Sequence, residues 1–175
     1  MLLIPKSAAF GVAEVATIRR VQPSDLTTIA QYSSRKDLVE TTLAYQQYGF
    51  WGPDNGAISI VETTTGRLVG TAQYFRPGPT IRGFELAYVI YDPVDRNCGY
   101  VSAALRQFSD LLFEERPEEE RHQLVIGVSN CASCIVAERS AFTREGCLSR
   151  AKAEDGDDIY LYGRTRSDWL RSLLL

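Results

Sequence analysis

Residues 84–105 read FELAYVIYDPVDRNCGYVSAAL. An apolar, strand-like run breaks at Asp92-Pro93, a tight loop carries Arg96-Asn97-Cys98-Gly99, and a helix with small residues (Ser102, Ala103, Ala104) follows at once. A strand feeding a helix through such a loop leaves the first-turn N–H groups without intrahelical acceptors and points the positive end of the helix dipole outward. That arrangement receives a phosphate without requiring a basic side chain. Gly99 lets the main chain approach a pyrophosphate closely, and the amides of residues 97–101 are the candidate donors. Taken alone, the stretch also fits a slim helix packed closely on a sheet.

On either side of it the pattern is mixed. Residues 14–20 (EVATIRR) alternate as a first strand, and Pro23-Ser24-Asp25 opens helical patterning that continues, with a break near Ser33-Ser34, to about residue 48. The segment 49–56 (GFWGPDNG) is a turn-rich aromatic loop. Residues 57–62 and 67–75, joined by the polar turn 63–66, form a hairpin, and residues 82–91 form the strand before the loop. The helix over 97–115 carries Val101, Leu105, Phe108, Leu111 and Leu112 at a 3.6-residue period and stops at Pro117. Residues 123–128 (QLVIGV) are a short buried strand and 132–142 a helix, with Gly146 in a turn or strand start just past it. Residues 157–163 (DDIYLYG) make the last strand and 167–175 a terminal helix. We expect an N-terminal arm over 1–13 and one mixed α/β domain over 14–175.

Composition narrows the function. The chain has 175 residues, 45% hydrophobic and 23% charged, enough for a real core. A net charge of −3 provides no basic field for nucleic acid or anionic lipid, and no apolar run approaches the ~20 residues of a membrane span. The start, MLLIPKSAAFG, lacks the basic region and length of a signal peptide, so a cytoplasmic location is expected. Cys131 and Cys134 form a C-x-x-C, but with one histidine and no second such pair the four cysteines read as buried or half-buried free thiols, with no metal. His122, beside the charge run EERPEEER (114–121), reads as a surface residue and the run as a solvated helix end.

The element order resembles the GNAT N-acetyltransferase superfamily, whose acetyl-coenzyme A loop reads Q/R-x-x-G-x-G/A. Arg96-Asn97-Cys98-Gly99-Tyr100-Val101 matches it in all but the last position, with Pro93 and the preceding strand also in place. The run Asn130-x-x-Ser133-x-x-Val136-x-Glu138-Arg139-x-Ala141-Phe142, then Arg144-Glu145-Gly146, is similar to the branch that acetylates ribosomal-protein N-termini. The resemblance covers residues 14–170 and implies a single-domain GNAT-like α/β (α+β) fold: a mixed, mostly antiparallel sheet of about seven strands, with splayed central strands and flanking helices.

It also implies acetyl-coenzyme A as co-substrate. Arg96, Asn97, Cys98, Gly99, Tyr100, Val101 and Ser102 would hold the pyrophosphate. The pantetheine arm would pair with main chain near Val89 and Tyr91, and Asn130 and Ser133 would meet it farther on. Val101 stands where the family has Gly or Ala and would bring a branched side chain close to the pyrophosphate.

Acetyl transfer to an amine needs a base, a polarised carbonyl and a proton for the leaving thiolate. Glu85, eleven residues before Arg96, is the candidate base through a water; it also reads as a cross-strand charge beside Arg82 or Arg67. Many family members carry a Tyr seven residues after the Asn, here Ala137; Ser133 is the replacement, or else a helix-cap hydroxyl. Asn130 binds the pantetheine amide or caps its helix. Tyr48, Phe50 and Trp51 lie where the family places acceptor contacts, or are packing residues.

The expected reaction is direct acetyl transfer to a primary amine: a peptide N-terminus, a polyamine, an amino acid or an antibiotic-like amine. The branch is often homodimeric. A non-catalytic binding module of the same fold and an acyltransferase using another acyl donor are the alternatives.

Overall fold

The computed structural model describes residues 14–32, 38–79, 81–151 and 156–174. The expected arm over 1–13 and the break at Ser33-Ser34 lie outside these. The elements run β1 (Ala16–Arg20), a 3-10 turn at Pro23–Asp25, α1 (Leu26–Tyr32), α2 (Leu38–Tyr48), β2 (Asn55–Glu62), β3 (Leu68–Phe75) and β4 (Phe84–Ile90). After a second 3-10 turn at Pro93–Asp95 come α3 (Tyr100–Glu115), β5 (Arg121–Gly127), α4 (Cys131–Arg139), β6 (Thr143–Leu148), β7 (Ile159–Thr165) and α5 (Arg166–Ser172). Among the described residues no helix is long and apolar enough to cross a membrane.

The strands form one seven-stranded sheet in the order β1-β2-β3-β4-β5-β7-β6. Every neighbouring pair is antiparallel except β4 and β5, which run parallel. That parallel contact is short: only Phe84 with His122 and Glu85 with Gln123 are in register. Beyond Glu85 the two strands part, as the family resemblance implies.

What holds them at the base is a close crossing. Gly83 has φ +145, and a Cβ there would lie 1.9 Å from the Arg121 carbonyl oxygen, so only glycine lets β4 start against β5.

Period-two alternation gives β2, β3 and β4 two different faces. Ile58, Ile60, Ala72, Tyr74, Phe84 and Leu86 turn to one side and form the core with Val101, Ala104, Leu105, Phe108 and Leu112 of α3. The helix supplies them at the 3.6-residue spacing that the sequence shows, and each large fully buried side chain contributes about 1.5–3 kcal/mol. The opposite face carries Ser59, Thr71 and Gln73. It meets the α1 side through Asp25, whose carboxylate accepts from Ser59 Oγ at 2.7 Å and from both Arg19 guanidinium nitrogens. Burial alone would raise Asp25, but hydrogen bonds from Arg19, the Gln22 amide and Ser59 hold it below the usual carboxylate range.

Two sequence expectations fail in the packing. His122 is buried, not on the surface: one residue into β5, it stacks on Phe113 with ring centroids 3.8 Å apart, and its Nδ1 pairs with Ser109 Oγ at 2.9 Å. Burial, and then the positive charges of Arg164 and Arg166, pull its pKa down to about 3, so it is neutral. The charge run is also not wholly solvated, because Glu119 is buried and pairs with Arg76 at 2.7 Å.

Candidate active site

The loop between β4 and α3 is built to leave amides free. Asp92 caps the 3-10 turn by accepting from the Val94 N–H at 2.9 Å. Buried Asp95 takes both Arg67 guanidinium nitrogens at 2.7 Å, and this hydrogen-bonded pairing holds its carboxyl below the ordinary range. The chain then turns through Asn97 (φ +61) and Gly99 (φ +82) into the helix. Gly99 is the N-cap residue and has no side chain to cap with.

The first main-chain bond of α3 is Ala103 N–H to the Gly99 carbonyl, so the amides of Tyr100, Val101 and Ser102 donate to nothing among the described residues, nor do those of Asn97, Cys98 and Gly99. Arg96 and Cys98 are exposed, as are Cys131 and Cys147 where buried or half-buried thiols are expected, and among the described residues the Arg96 guanidinium has no ion pair. Tyr100 is tied down through its hydroxyl, which donates to Glu62 at 2.7 Å. Val101 does not crowd the loop: it is one turn before Ala104 and Leu105 on the face of α3 that packs on the sheet, and its side chain is buried in the core.

The parted strands supply the second component. Tyr91 N–H donates to the Val69 carbonyl, and the Val89 carbonyl lies against Gly70, so both turn their main-chain groups to β3. The Tyr91 N–H and the Val89 carbonyl are therefore not free for the expected pairing with a pantetheine arm. Alternation along the strand puts the groups of Tyr88 and Ile90 on the side where β5 has departed.

At the neck of the gap, Glu85 accepts from Gln123 Nε2 at 3.0 Å. It is not the cross-strand partner of Arg67 or Arg82: Arg67 is committed to Asp95, and no ion pair joins Arg82 to Glu85. Glu85 lies opposite Phe75, with Ala87 opposite Gln73 and Val89 opposite Thr71, so these side chains share the sheet face that looks toward α1 and α2.

On the other side of the gap stands the start of α4. Asn130 is its N-cap, its side-chain oxygen accepting from the Ser133 N–H at 3.1 Å, and among the described residues nothing accepts from its amide nitrogen. Ser133 is thus not the capping hydroxyl. Facing it is a group that sequence reasoning missed: the Tyr88 hydroxyl is buried and has no hydrogen-bond partner among the described residues. Burial pushes its pKa up, while the neighbouring Ser133 hydroxyl pulls the other way. No sequence signal marked Tyr88, because it sits in a strand with four apolar neighbours.

On the α1/α2 face the sheet bounds a cavity of about 400 Å³, lined by Ile29, Ala44, Tyr48, Phe50, Gln73 and Phe75 among others. Tyr48 and Phe50 therefore belong to a pocket, whereas Trp51 packs on Tyr74 and Phe108 under the Arg20 guanidinium, 3.3 Å from its ring centroid. At the far end of β4, Tyr32 stacks on Tyr91 with centroids 4.7 Å apart.

A family model described as an acetyltransferase (GNAT) domain matches residues 16–143. A sequence comparison with curated proteins gives no match. Among solved structures, spermidine N-acetyltransferase from Vibrio cholerae in complex with CoA and spermine superposes with a TM-score of 0.71 at 15% identity, covering 90% of this chain and 99% of that one. A chimera of the Vibrio cholerae enzyme with hSSAT gives 0.73 at 17% identity, covering 90% and 99%. An aminoglycoside acetyltransferase, AAC(6')-Ib, in complex with coenzyme A gives 0.68 at 16% identity, covering 90% and 98%.

Proposed function

The chain belongs to the GNAT acetyltransferase family and is an N-acetyltransferase, and we propose that Glu85 and Tyr88 are the proton-handling pair that moves an acetyl group from acetyl-coenzyme A to a primary amine. The observation that carries this reading is their position. Glu85 stands at the neck where β4 and β5 part, and the buried Tyr88 hydroxyl lies three residues on, on the other face of the strand and beside Ser133.

The free amides of residues 97–102, with the Arg96 guanidinium beside them, suit the pyrophosphate. The main-chain groups of Tyr88 and Ile90 and the amide nitrogen of Asn130 suit the pantetheine arm. The amine nitrogen bonds to the thioester carbonyl carbon as the carbon–sulfur bond breaks. Glu85 receives the amine's proton through a water, and Tyr88 gives its proton to the departing sulfur and recovers one by way of Ser133. A phenol whose pKa is raised by burial is fully protonated at neutral pH, as an acid must be.

The run from Asn130 to Gly146 supports a peptide N-terminus as acceptor, and the spermine and aminoglycoside enzymes of similar fold support a small-molecule amine. Calorimetry with acetyl-coenzyme A should give saturable binding, and no heat at millimolar concentration would contradict the donor assignment. Tyr88→Phe should lower kcat by about 100-fold or more, the usual range for acid catalysis, and leave coenzyme affinity as it was. An unchanged kcat would remove Tyr88 from the mechanism.

A further inference from the structure

We propose that the acceptor is a small primary amine carrying one positive charge on an aromatic or apolar body, and not a polyamine. This rests on Glu85 being the base. The cavity on the α1/α2 face is about 400 Å³, within the usual range for small-ligand sites. It reaches the strand beside Glu85, because its lining residue Phe75 is the register partner of Glu85 across β3 and β4. Ala87 and Val89 continue the same face along β4, and Val89 is 39% exposed there, so an amine can reach the neck along this strand.

None of the described lining residues is charged. Tyr48, Phe50 and Phe75 offer aromatic surface, and Asn55, Thr71 and Gln73 offer neutral polar groups. Asp25, on the α1 side, is already neutralised by Arg19. A polycation entering this space would leave all but one of its ammonium groups desolvated without a counter-charge, which is costly. A single ammonium beside Glu85, with a ring against Phe50 and Phe75, meets the charge and the apolar wall together.

The test is calorimetry of phenethylamine, spermidine and the peptide Phe-Gly-Gly against the intact protein, with and without coenzyme A. Steady-state turnover of each with acetyl-coenzyme A accompanies it. Phenethylamine should bind with or without coenzyme and be acetylated with a kcat/KM at least about tenfold above either competitor. Gln73→Glu, which adds a carboxylate to an open position of the lining, should shift the spermidine-to-phenethylamine affinity ratio about tenfold toward spermidine. Spermidine or the peptide binding wild type as tightly as phenethylamine, or Gln73→Glu leaving the ratio unmoved, would overturn the proposal. Because amine binding is read without coenzyme as well, failure of the coenzyme to bind would strike the donor reading separately.

Discussion

The two halves of the proposed site are made of different material. The donor half, from Asp92 to Ser102 and along the free edge of β4, is chiefly main chain: unpaired amides, a left-handed glycine and a strand edge. The acceptor half is side chain, assembled from α1, α2, the loop after α2 and β3. A main-chain site depends on conformation, so few residues specify it and they stand close together in the sequence. A side-chain site depends on which residues the fold gathers, and these are free to vary with the substrate.

Acid should break both halves at once, because both hang from the neck where His122 is buried. A histidine whose folded pKa is about 3, against an ordinary value near 6.5, binds fewer protons folded than unfolded between those limits. Its contribution to stability is fully present above about pH 6.5 and is lost as pH falls toward 3, at up to about 1.4 kcal/mol per pH unit. Melting curves from pH 7 to 4 should show this decline. His122→Phe, which keeps the ring stack on Phe113 without the titrating group, should flatten it, and an equally steep profile in that variant would exclude His122 as the cause.

Gly99→Val separates the halves. A β-branched residue at φ +82 strains the turn by about 1–2 kcal/mol and displaces the first amides of α3. Coenzyme affinity should drop about tenfold while phenethylamine affinity without coenzyme stays within twofold, by calorimetry. Equal losses for both ligands would mean the halves are not independent.

The smallest expected effect is at the end of α4. Ala141 occupies a left-handed position, φ +66, which glycine adopts without the Cβ penalty. Ala141→Gly should therefore stabilise the fold by about 0.5–1 kcal/mol in denaturant titrations, with neither ligand affinity changed. A destabilisation would contradict the strain.

The same division explains what was legible in the sequence. The strand–loop–helix at residues 84–105 and the 3.6-residue spacing on α3 are local patterns, and the structure reproduces them. Strand β6 was hardly legible, since TREGCL at the sheet edge is exposed at every position and carries no apolar alternation. His122 was misread because its sequence neighbours are charged, while Phe113, Ser109 and Arg164, which bury it, come from α3 and β7. Tyr88 could not be singled out, because its role depends on β5 having parted from β4. The cavity could not be seen at all, as its lining is drawn from segments spread over residues 29–75.

Glu85 is where the two halves meet, and Glu85→Gln measures that most directly. The amide keeps the side chain's size and can still bond Gln123. With any amine that wild type acetylates, kcat should fall by about 10²–10³-fold, within the usual range for a lost general base. Calorimetric affinities for acetyl-coenzyme A and for phenethylamine should stay within twofold. A Glu85→Gln protein that turns over at the wild-type rate would contradict the account.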